Sequence, residues 1–429
     1  MDWYSIFSAD IEKWVTLGIF IVTFIFILYR KFNIAVIALI SAAVVILLGI
    51  ISPWSAVTEG INWDVLAIYS GYAILAMYLR ESQLPAWLAN QVMLKFKKEK
   101  TALLLLCMIA MALSVIIANP EVVIILAPLA IEMADKMKGN LYVYLIALAI
   151  SSNVVTTVTM VADPPAILMA GYTGMEFFDF YWFQNKISLG TISVFAILVG
   201  ALVLWFQFRK MNNTADLPAV KIKVNPLPSI IFIVSVLLLA FIPWSSMGAF
   251  NHRGILGVCL GILCLILGGK DNAKAWLKEF DWNSIMFLIG IFTLVFAVNQ
   301  VGLLEDFANL IANSGITSTA IYLAILIWVS VLLSAFIDNV PYTVIMLPVC
   351  DFLAASLGVN PFPFYFGILI GTGMGGNLTP VGATANVLAC GMLEKRGYKI
   401  TLGNYIKLAW PFTFAIVATA HVLLQIIWL

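Results

Sequence analysis

Three acidic residues lie inside otherwise apolar sequence, next to the proline and asparagine residues that interrupt it. They are Glu121 in Asn119-Pro120-Glu121, Asp163 in Asp163-Pro164-Pro165, and Asp338 in Asp338-Asn339-Val340-Pro341. A charged side chain in apolar surroundings is costly to bury and is usually retained for a function. The sequence predicts no Lys, Arg or His at the same depth, so these carboxylates could exchange protons near neutral pH or bind a cation.

Neutral side chains with oxygen atoms accompany the same interruptions. Proline removes a backbone donor and glycine relaxes helical geometry, so carbonyl groups at such breaks become free to coordinate a cation. The half-helices that follow present N–H groups to an anion or a neutral hydroxide. The predicted neutral ligands are Asn119, Asn153, Thr157, Thr159, Asn339, Gly376, Asn377, Thr379 and Asn386, with sodium expected at Asn119, Asn153, Asn339 and Asn377.

Each of these residue types also has a purely structural interpretation. Asn119 and Asn339 could cap helices. Thr159 and Thr379 could bond to the carbonyl groups of their own helices. The glycines between 371 and 376 could serve close helix packing. The sequence leaves these alternatives open.

The composition indicates that the breaks lie in a membrane. Of the 429 residues, 63% are hydrophobic and 10% are charged, whereas a soluble domain has roughly 45–50% and 25%. This excess of apolar surface excludes a soluble globular protein, and the low charge excludes a disordered one. Continuous apolar runs of 16 to 25 residues indicate helices, because barrel strands alternate apolar and polar residues.

Other bulk features exclude several functions. The net charge of +1 leaves no basic surface for nucleic acid. The five cysteines are scattered and there are only two histidines, so we expect no metal centre and no resident cofactor beyond Na⁺ or H⁺ as a coupling ion. No nucleophile and base are arranged as in an enzyme, and we predict none. The expected partners are a small inorganic solute and the lipid bilayer.

The two halves of the chain are related in sequence. Trp63-Asp-Val-Leu-Ala-Ile-Tyr-Ser-Gly71 matches Trp282-Asn-Ser-Ile-Met-Phe-Leu-Ile-Gly290 at an offset of 219. At an offset of 220, Ser114, Asn119, Pro128, Asn140 and Thr159 coincide with Ser334, Asn339, Pro348, Asn360 and Thr379. Apolar composition does not explain polar and proline matches at one offset. We therefore predict an internal repeat, with repeat 1 at 1–208, a cytoplasmic linker at 209–228 and repeat 2 at 229–429.

Each repeat is predicted to contain five transmembrane helices, a re-entrant hairpin and a broken helix. The hairpins are 101–134 and 317–355, and their second arms, 121–134 and 340–355, look short. Fourteen residues reach about 21 Å, less than the roughly 30 Å of the bilayer core. A pair of ordinary spanning helices with a tight turn is the alternative. Because five is odd, the two repeats are expected to be inverted.

The basic residues predict the orientation of the chain. Twenty Lys and Arg residues fall on one side of this topology, and only Lys13, Lys186 and Arg253 fall on the other. Cytoplasmic loops carry the excess of positive charge. We therefore expect a multi-pass protein of the cell membrane with both termini extracytoplasmic.

Three segments resemble a known family. They are Asp338-Asn-Val-Pro-Tyr-Thr343, Gly375-Gly-Asn-Leu-Thr-Pro-Val-Gly-Ala-Thr-Ala-Asn386 and, in the first half, Asn153 to Pro165. They are similar to motifs of the ion transporter superfamily, in the branch of arsenite permeases, NhaD-type sodium–proton antiporters, P protein and CitMHS-like permeases. This sequence departs from the motifs at Ala166, where the family has Asn, and at Pro380, where it has Leu.

The resemblance implies a homodimer in which each protomer has a scaffold and a mobile, elevator-type transport domain. The scaffold would comprise 1–100 and 229–316, and the transport domain 101–208 and 317–429. The function expected is secondary transport of a small inorganic ion or metalloid hydroxide, coupled to protons or sodium, such as arsenite or antimonite efflux or Na⁺/H⁺ exchange. A sodium-coupled carboxylate or other anion transporter is the alternative, and an ion channel is more remote.

Overall fold

The computed structural model describes residues 8–29, 32–84, 86–87, 90–91, 96–115, 117–161, 163–214, 222–241, 246–247, 250–312, 318–336 and 339–429. Asp338 and part of the predicted linker 209–228 lie outside these residues. The described chain is mostly helical. Its strands form two short antiparallel ribbons, β1 (Trp182–Phe183) with β2 (Lys186–Ile187) and β3 (Ser246–Met247) with β4 (Phe250–Asn251).

The helices of the first half are α1 (Ala9–Tyr29), α2 (Ile34–Leu47), α3 (Pro53–Ser55), α4 (Trp63–Glu81), α5 (Glu99–Ser114), α6 (Asn119–Lys136), α7 (Leu141–Asn153), α8 (Pro164–Thr173) and α9 (Leu189–Gln207). Those of the second half are α10 (Pro226–Phe241), α11 (His252–Glu279), α12 (Trp282–Gln300), α13 (Leu303–Ala312), α14 (Thr319–Ser334), α15 (Asn339–Leu357), α16 (Phe362–Gly375), α17 (Thr384–Glu394) and α18 (Leu402–Trp428).

Helices recur along the chain at a nearly constant spacing. Helices α5 and α14 both have 16 residues and begin at 99 and 319. Helices α6 and α15 begin at 119 and 339, and α8 and α17 at 164 and 384. Asn62 and Asp281 precede α4 and α12 as N-caps, and each accepts a 3.1 Å hydrogen bond from the N–H three residues later. The polar matches between the halves therefore mark equivalent helix ends.

Two crossings between the halves depend on glycine. Helix α11 packs on α4 so closely that a Cβ at Gly257 would lie 2.6 Å from the Ala67 carbonyl oxygen. Helix α12 packs on α2 in the same way, and a Cβ at Gly290 would lie 2.6 Å from the Leu39 nitrogen. In the internal repeat, α2 corresponds to α11 and α4 corresponds to α12. The crossing of α4 with α11 and the crossing of α12 with α2 are therefore equivalent contacts with the two halves exchanged. Such reciprocity is expected of two halves related by a two-fold axis.

The second arms of the hairpins are longer than the sequence predicted. Helix α6 has 18 residues and α15 has 19, so α6 alone reaches about 27 Å. The prediction was wrong because it treated the Asn-Pro segment as a break before the helix. Asn119 is instead the first helical residue, and Pro120 occupies the first turn, where no backbone donor is needed. Helix length therefore does not separate a re-entrant hairpin from a spanning pair.

The all-helical membrane architecture is confirmed. Within the described residues, five helices are long and apolar enough to cross a membrane. They are Leu189–Lys210, Arg253–Glu279, Trp282–Gln300, Asn339–Leu357 and Leu402–Trp428, and four shorter apolar helices accompany them. Inversion of the repeats and ten crossings stay predictions.

We expect Gly257→Ala to lower the free energy of unfolding by about 1–3 kcal/mol, because the added Cβ overlaps the backbone of α4. The matched control is Gly391→Ala in α17, where a Cβ meets nothing within 4 Å. The control should be neutral or stabilising by up to about 1 kcal/mol, from helix propensity alone. Thermal or chemical unfolding of both variants in one detergent measures the difference. Equal stability of the two variants would contradict the close crossing.

Candidate functional site

The two hairpins and two helix breaks surround one cavity of about 740 Å³; the first break lies between α7 and α8, and the second between α16 and α17. The start of each second arm reaches it, as do the residues around both breaks. Predicted site residues that line it are Asn119, Glu121, Asn153, Asp163 and Asn339. Backbone and side chains of 381–385 line it from the second break. The cavity is completed by α4 and by residues around the start of α12.

A chain of buried asparagine side chains connects the parts of the site. Asn119 Nδ2 donates to Asn153 Oδ1 at 3.2 Å, and Asn153 Nδ2 donates to Asn377 Oδ1 at 3.1 Å. Asn377 Nδ2 in turn donates to the Ile150 carbonyl at 2.9 Å. The first hairpin, the first break and the second break are thus held together by amide groups. Asn119 Oδ1 is buried and receives no hydrogen bond from any described residue, which leaves an acceptor for a cation or a water molecule.

The second hairpin is organised differently. Ser334 Oγ lies 2.6 Å from Asn339 Oδ1 and 2.7 Å from the Thr372 carbonyl oxygen. Its single proton can serve only one of these acceptors at a time. The equivalent Ser114 Oγ in the first hairpin is buried without a hydrogen-bond partner among the described residues. The two hairpin starts therefore differ in chemistry although they match in sequence.

Thr159 and Thr379 attach the breaks to the hairpins. Thr379 Oγ1 donates to the Ala335 carbonyl at 2.5 Å, and Thr159 Oγ1 donates to the Val115 carbonyl at 3.4 Å. These carbonyl groups end α14 and α5, where the helix itself supplies no donor. Neither threonine bonds to its own helix, so the structural alternative considered for them is not the one observed. Both hydroxyl groups donate to backbone carbonyl groups, and neither threonine lines the cavity.

Other predicted ligands hold the second break in shape. Asn386 Nδ2 donates to the carbonyl of Gly376 at 3.1 Å. A Cβ at Gly376 would lie 2.9 Å from the Gly382 carbonyl oxygen, so the close approach of these two segments requires glycine. Thr157 Oγ1 lies 2.7 Å from Ser193 Oγ of α9. Thr157, Gly376, Asn377 and Asn386 do not line the cavity.

The glycines of α16 serve helix packing. Gly371 and Gly375 lie within that helix. A Cβ at Gly371 would lie 2.6 Å from the Ile327 carbonyl oxygen, and one at Gly375 would lie 2.6 Å from Val331 Cα. Both neighbours belong to α14. The break is therefore shorter than the glycine-rich sequence suggests, and it begins at Gly376.

Acidic groups dominate the charge of the cavity. Glu121 and Asp163, two of the predicted site residues, line it together with Glu279 and Asp281. No Lys, Arg or His of the described residues lines the cavity. Glu121 Oε2 is buried and forms no hydrogen bond with the part of the chain that the structure describes. Asp163 is the N-cap residue of α8, which places its carboxylate at the positive end of that helix.

Three charged groups close to the site, Arg80, Glu279 and Asp281, were not predicted from the sequence. Arg80 forms a 2.7 Å ion pair with Glu279, and its charge also acts on Glu121. Only Asp281 could have been found from the repeat, because it matches the capping residue Asn62 at an offset of 219. The sequence alone did not indicate that α4 and α11 end beside the first hairpin.

These features define a helical membrane transporter, with broken helices meeting at a polar cavity. Residues 24–371 match the family model described as "Citrate transporter", and the chain belongs to that family. It is a transporter of this family, as the predicted resemblance implied.

Known relatives agree with this assignment. The chain is 26% identical over 425 residues to an uncharacterized transporter of Mycobacterium bovis, covering 96% of this chain and 97% of the relative. It is 23% identical over 439 residues to the human P protein, covering 83% of this chain and 52% of the relative. In fold it is similar to the YdaH transporter of Alcanivorax borkumensis, with a TM-score of 0.55, 14% identity and 87% of each chain covered.

We expect Thr379→Val to destabilise the protein by about 1–3 kcal/mol, because the Ala335 carbonyl is left without its donor. Thr413→Val in α18 is the matched control, since that buried hydroxyl bonds only to the Ala409 carbonyl of its own helix. The control should change stability by less than about 1 kcal/mol. Unfolding midpoints in one detergent measure both effects. An equal loss in the two variants would contradict a role for Thr379 in joining the break to the hairpin.

Proposed function

We propose that this chain is a secondary transporter of a small cation or neutral hydroxide, coupled to protons or sodium. The observation that carries the proposal is the cavity lining of carboxylates and amides, with no basic side chain among the described residues. Carboxylate and amide oxygens suit a hard cation or a proton. Na⁺/H⁺ exchange and efflux of arsenite or antimonite both fit this lining, since a neutral hydroxide needs only hydrogen bonds.

Transport of citrate or another carboxylate is the second candidate, and the description of the family favours it. A free tricarboxylate would face Glu121, Asp163, Glu279 and Asp281. Like charges in a partly dehydrated cavity repel strongly. A carboxylate substrate would therefore have to enter together with cations or protons, and the same acidic groups would bind the coupling ion.

The proposed coupling groups are Glu121, Asp163 and Asp338. Sodium would bind among the oxygens of Asn119, Asn153, Asn339 and Asn377, of which Asn119 Oδ1 accepts no hydrogen bond from the described residues. In each transport cycle, one of these groups would bind a proton or sodium ion on one side of the membrane and release that ion on the other side. No chemical transformation of the solute is required, so we expect no enzymatic activity.

We propose that 101–208 and 317–429 move as a transport domain against a scaffold of 1–100 and 229–316, in each protomer of a homodimer. The cavity reaches Asn33 and Asp281, at the helix ends that the basic residues assign to the cytoplasm. Arg253 of the scaffold is fully buried and donates to the Met175 carbonyl of the transport domain at 3.2 Å. This contact would have to break when the cavity opens to the other side.

Reconstituted vesicles test the proposed function directly. Uptake of sodium, arsenite, phosphate and citrate is measured while the sodium and pH gradients are varied separately. We expect saturable flux of sodium or arsenite that responds to one gradient, and counterflow at zero net gradient. Linear current–voltage conduction would favour a channel. Gradient-driven citrate uptake with no flux of sodium or arsenite alone would favour the carboxylate transporter.

We expect Glu121→Gln to lower coupled flux by about 10- to 100-fold, the factor equivalent to roughly 1.5–3 kcal/mol of charged contact. The matched control is Glu132→Gln on the same helix, where Glu132 forms a partly exposed ion pair with Lys136 at 2.8 Å. The control should retain flux, because such pairs contribute little. Initial rates in vesicles with equal protein content measure both. Unchanged pH-dependent uptake by Glu121→Gln would exclude this residue as a coupling group.

A further inference from the structure

A second cavity lies away from the acidic one. This cleft has a volume of about 550 Å³ and is formed by the start of α7, the end of α9, the start of α18 and the loop before it. Asn140, Tyr142, Gln207, Lys399, Asn404 and Lys407 provide its polar lining. The transport function proposed for the acidic cavity does not use any of these residues.

The charge of the cleft is opposite to that of the acidic cavity. Lys399 and Lys407 both line it, and no Asp or Glu of the described residues does. Neither lysine forms an ion pair within the described chain. Two ammonium groups sharing one concave surface repel each other unless an anion lies between them. A phosphate group is a suitable anion, because lysine binds it as a point charge.

Buried polar atoms at the cleft also lack partners. The Tyr142 hydroxyl and Gln207 Oε1 are both buried and form no hydrogen bond with any described residue. Gln207 Nε2 is already used, since it donates to the Leu408 carbonyl at 3.1 Å. Buried polar groups almost always have a partner. The tyrosine hydroxyl can donate to an anion, whereas Gln207 Oε1 can only accept, so the ligand should carry hydroxyl groups as well as negative charge.

The position of the cleft indicates that this ligand comes from the bilayer. The cleft lies at the ends of two candidate membrane spans, Leu189–Lys210 and Leu402–Trp428. Apolar side chains near the lining residues in the chain are exposed: Phe206, which precedes Gln207, at 56%, and Trp410, two residues after Leu408, at 47%. An amphiphile bound here would place its head in the cleft and its chains along α9 and α18. Basic pockets between helices at the cytoplasmic boundary bind anionic headgroups.

We propose that the cleft binds the headgroup of an anionic phospholipid with free hydroxyl groups, of the phosphatidylglycerol class. The phosphate lies between Lys399 and Lys407, and the headgroup hydroxyls donate to Gln207 Oε1. Because the residues belong to both halves of the chain, the lipid joins α7 and α9 to α18. This binding is independent of the transported solute.

Binding to the purified, delipidated full-length protein tests the proposal. Phosphatidylglycerol, phosphatidylcholine and water-soluble glycerophosphoglycerol are each titrated and followed by native mass spectrometry and thermal stability. We compare the wild type with Lys399→Gln/Lys407→Gln, and with Lys395→Gln/Arg396→Gln as control. The control pair is exposed on the same loop but does not line the cleft.

The cleft-lysine variant should bind phosphatidylglycerol about 30-fold more weakly, since each lysine near an anionic surface contributes roughly fivefold. The control should lose less than about fivefold, through general surface charge. Equal losses in both variants, or equal binding of phosphatidylcholine, would overturn the site. If glycerophosphoglycerol binds as tightly as the lipid, the proposal that the ligand is a lipid of the bilayer would be wrong. Unchanged unfolding midpoints without lipid show that both variants fold.

The hydroxyl preference has its own test. Gln207→Leu should reduce the preference for phosphatidylglycerol over phosphatidic acid, whose headgroup has no glycerol hydroxyls, while leaving phosphatidic acid binding within about twofold. An unchanged preference would remove Gln207 from the site. Equal weakening of both lipids leaves the preference unchanged and would likewise exclude Gln207 Oε1 as the acceptor of the headgroup hydroxyls.

Discussion

The structure depends on satisfying backbone polar groups where helices stop inside a membrane. The hydrocarbon core of a bilayer supplies no water to replace a missing hydrogen bond, so an unpaired backbone group there is expensive. Asparagine and threonine side chains supply the partners at all four interruptions described. The chain of amides from Asn119 to Ile150 crosses both halves, and the threonine hydroxyls close the ends of α5 and α14. These bonds hold together the interrupted ends that line the acidic cavity.

The repeated architecture carries different chemistry in its two halves. Asp163 and Ala383 occupy equivalent N-cap positions with similar extended backbone angles, yet only one has a carboxylate. Likewise Ser334 contacts Asn339, whereas Ser114 has no partner within the described chain. Both halves thus interrupt their helices at equivalent positions, and residue differences between the halves determine where the charged side chains lie. An asymmetric site can bind the transported solute and the coupling ion with different affinities.

Several features could be predicted from the sequence because they follow from local rules. Proline and asparagine at fixed offsets indicated that helices are interrupted near 119–121 and 338–341, and the apolar runs identified the membrane class. The same rules misjudged the length of α6, since proline is tolerated in a first turn. They also left open whether Gly371 and Gly375 unwind the helix or serve packing, and in the structure both permit α16 to pack on α14. A glycine-rich motif does not distinguish a break from a close helix contact.

The sequence by itself determined that the chain is a helical membrane protein with paired helix breaks, because hydrophobicity and helix interruption are local properties of neighbouring residues. Which predicted ligands face a common cavity was decided only by the tertiary structure. Asn119, Glu121, Asn153, Asp163 and Asn339 reach it, while Thr159, Thr379 and Asn386 bond to the backbone around it. Residues distant in the chain, such as Arg80, Glu279 and Asp281, join the site through helix crossings set by glycine. Such crossings depend on the fit between two remote surfaces, which neither segment encodes alone.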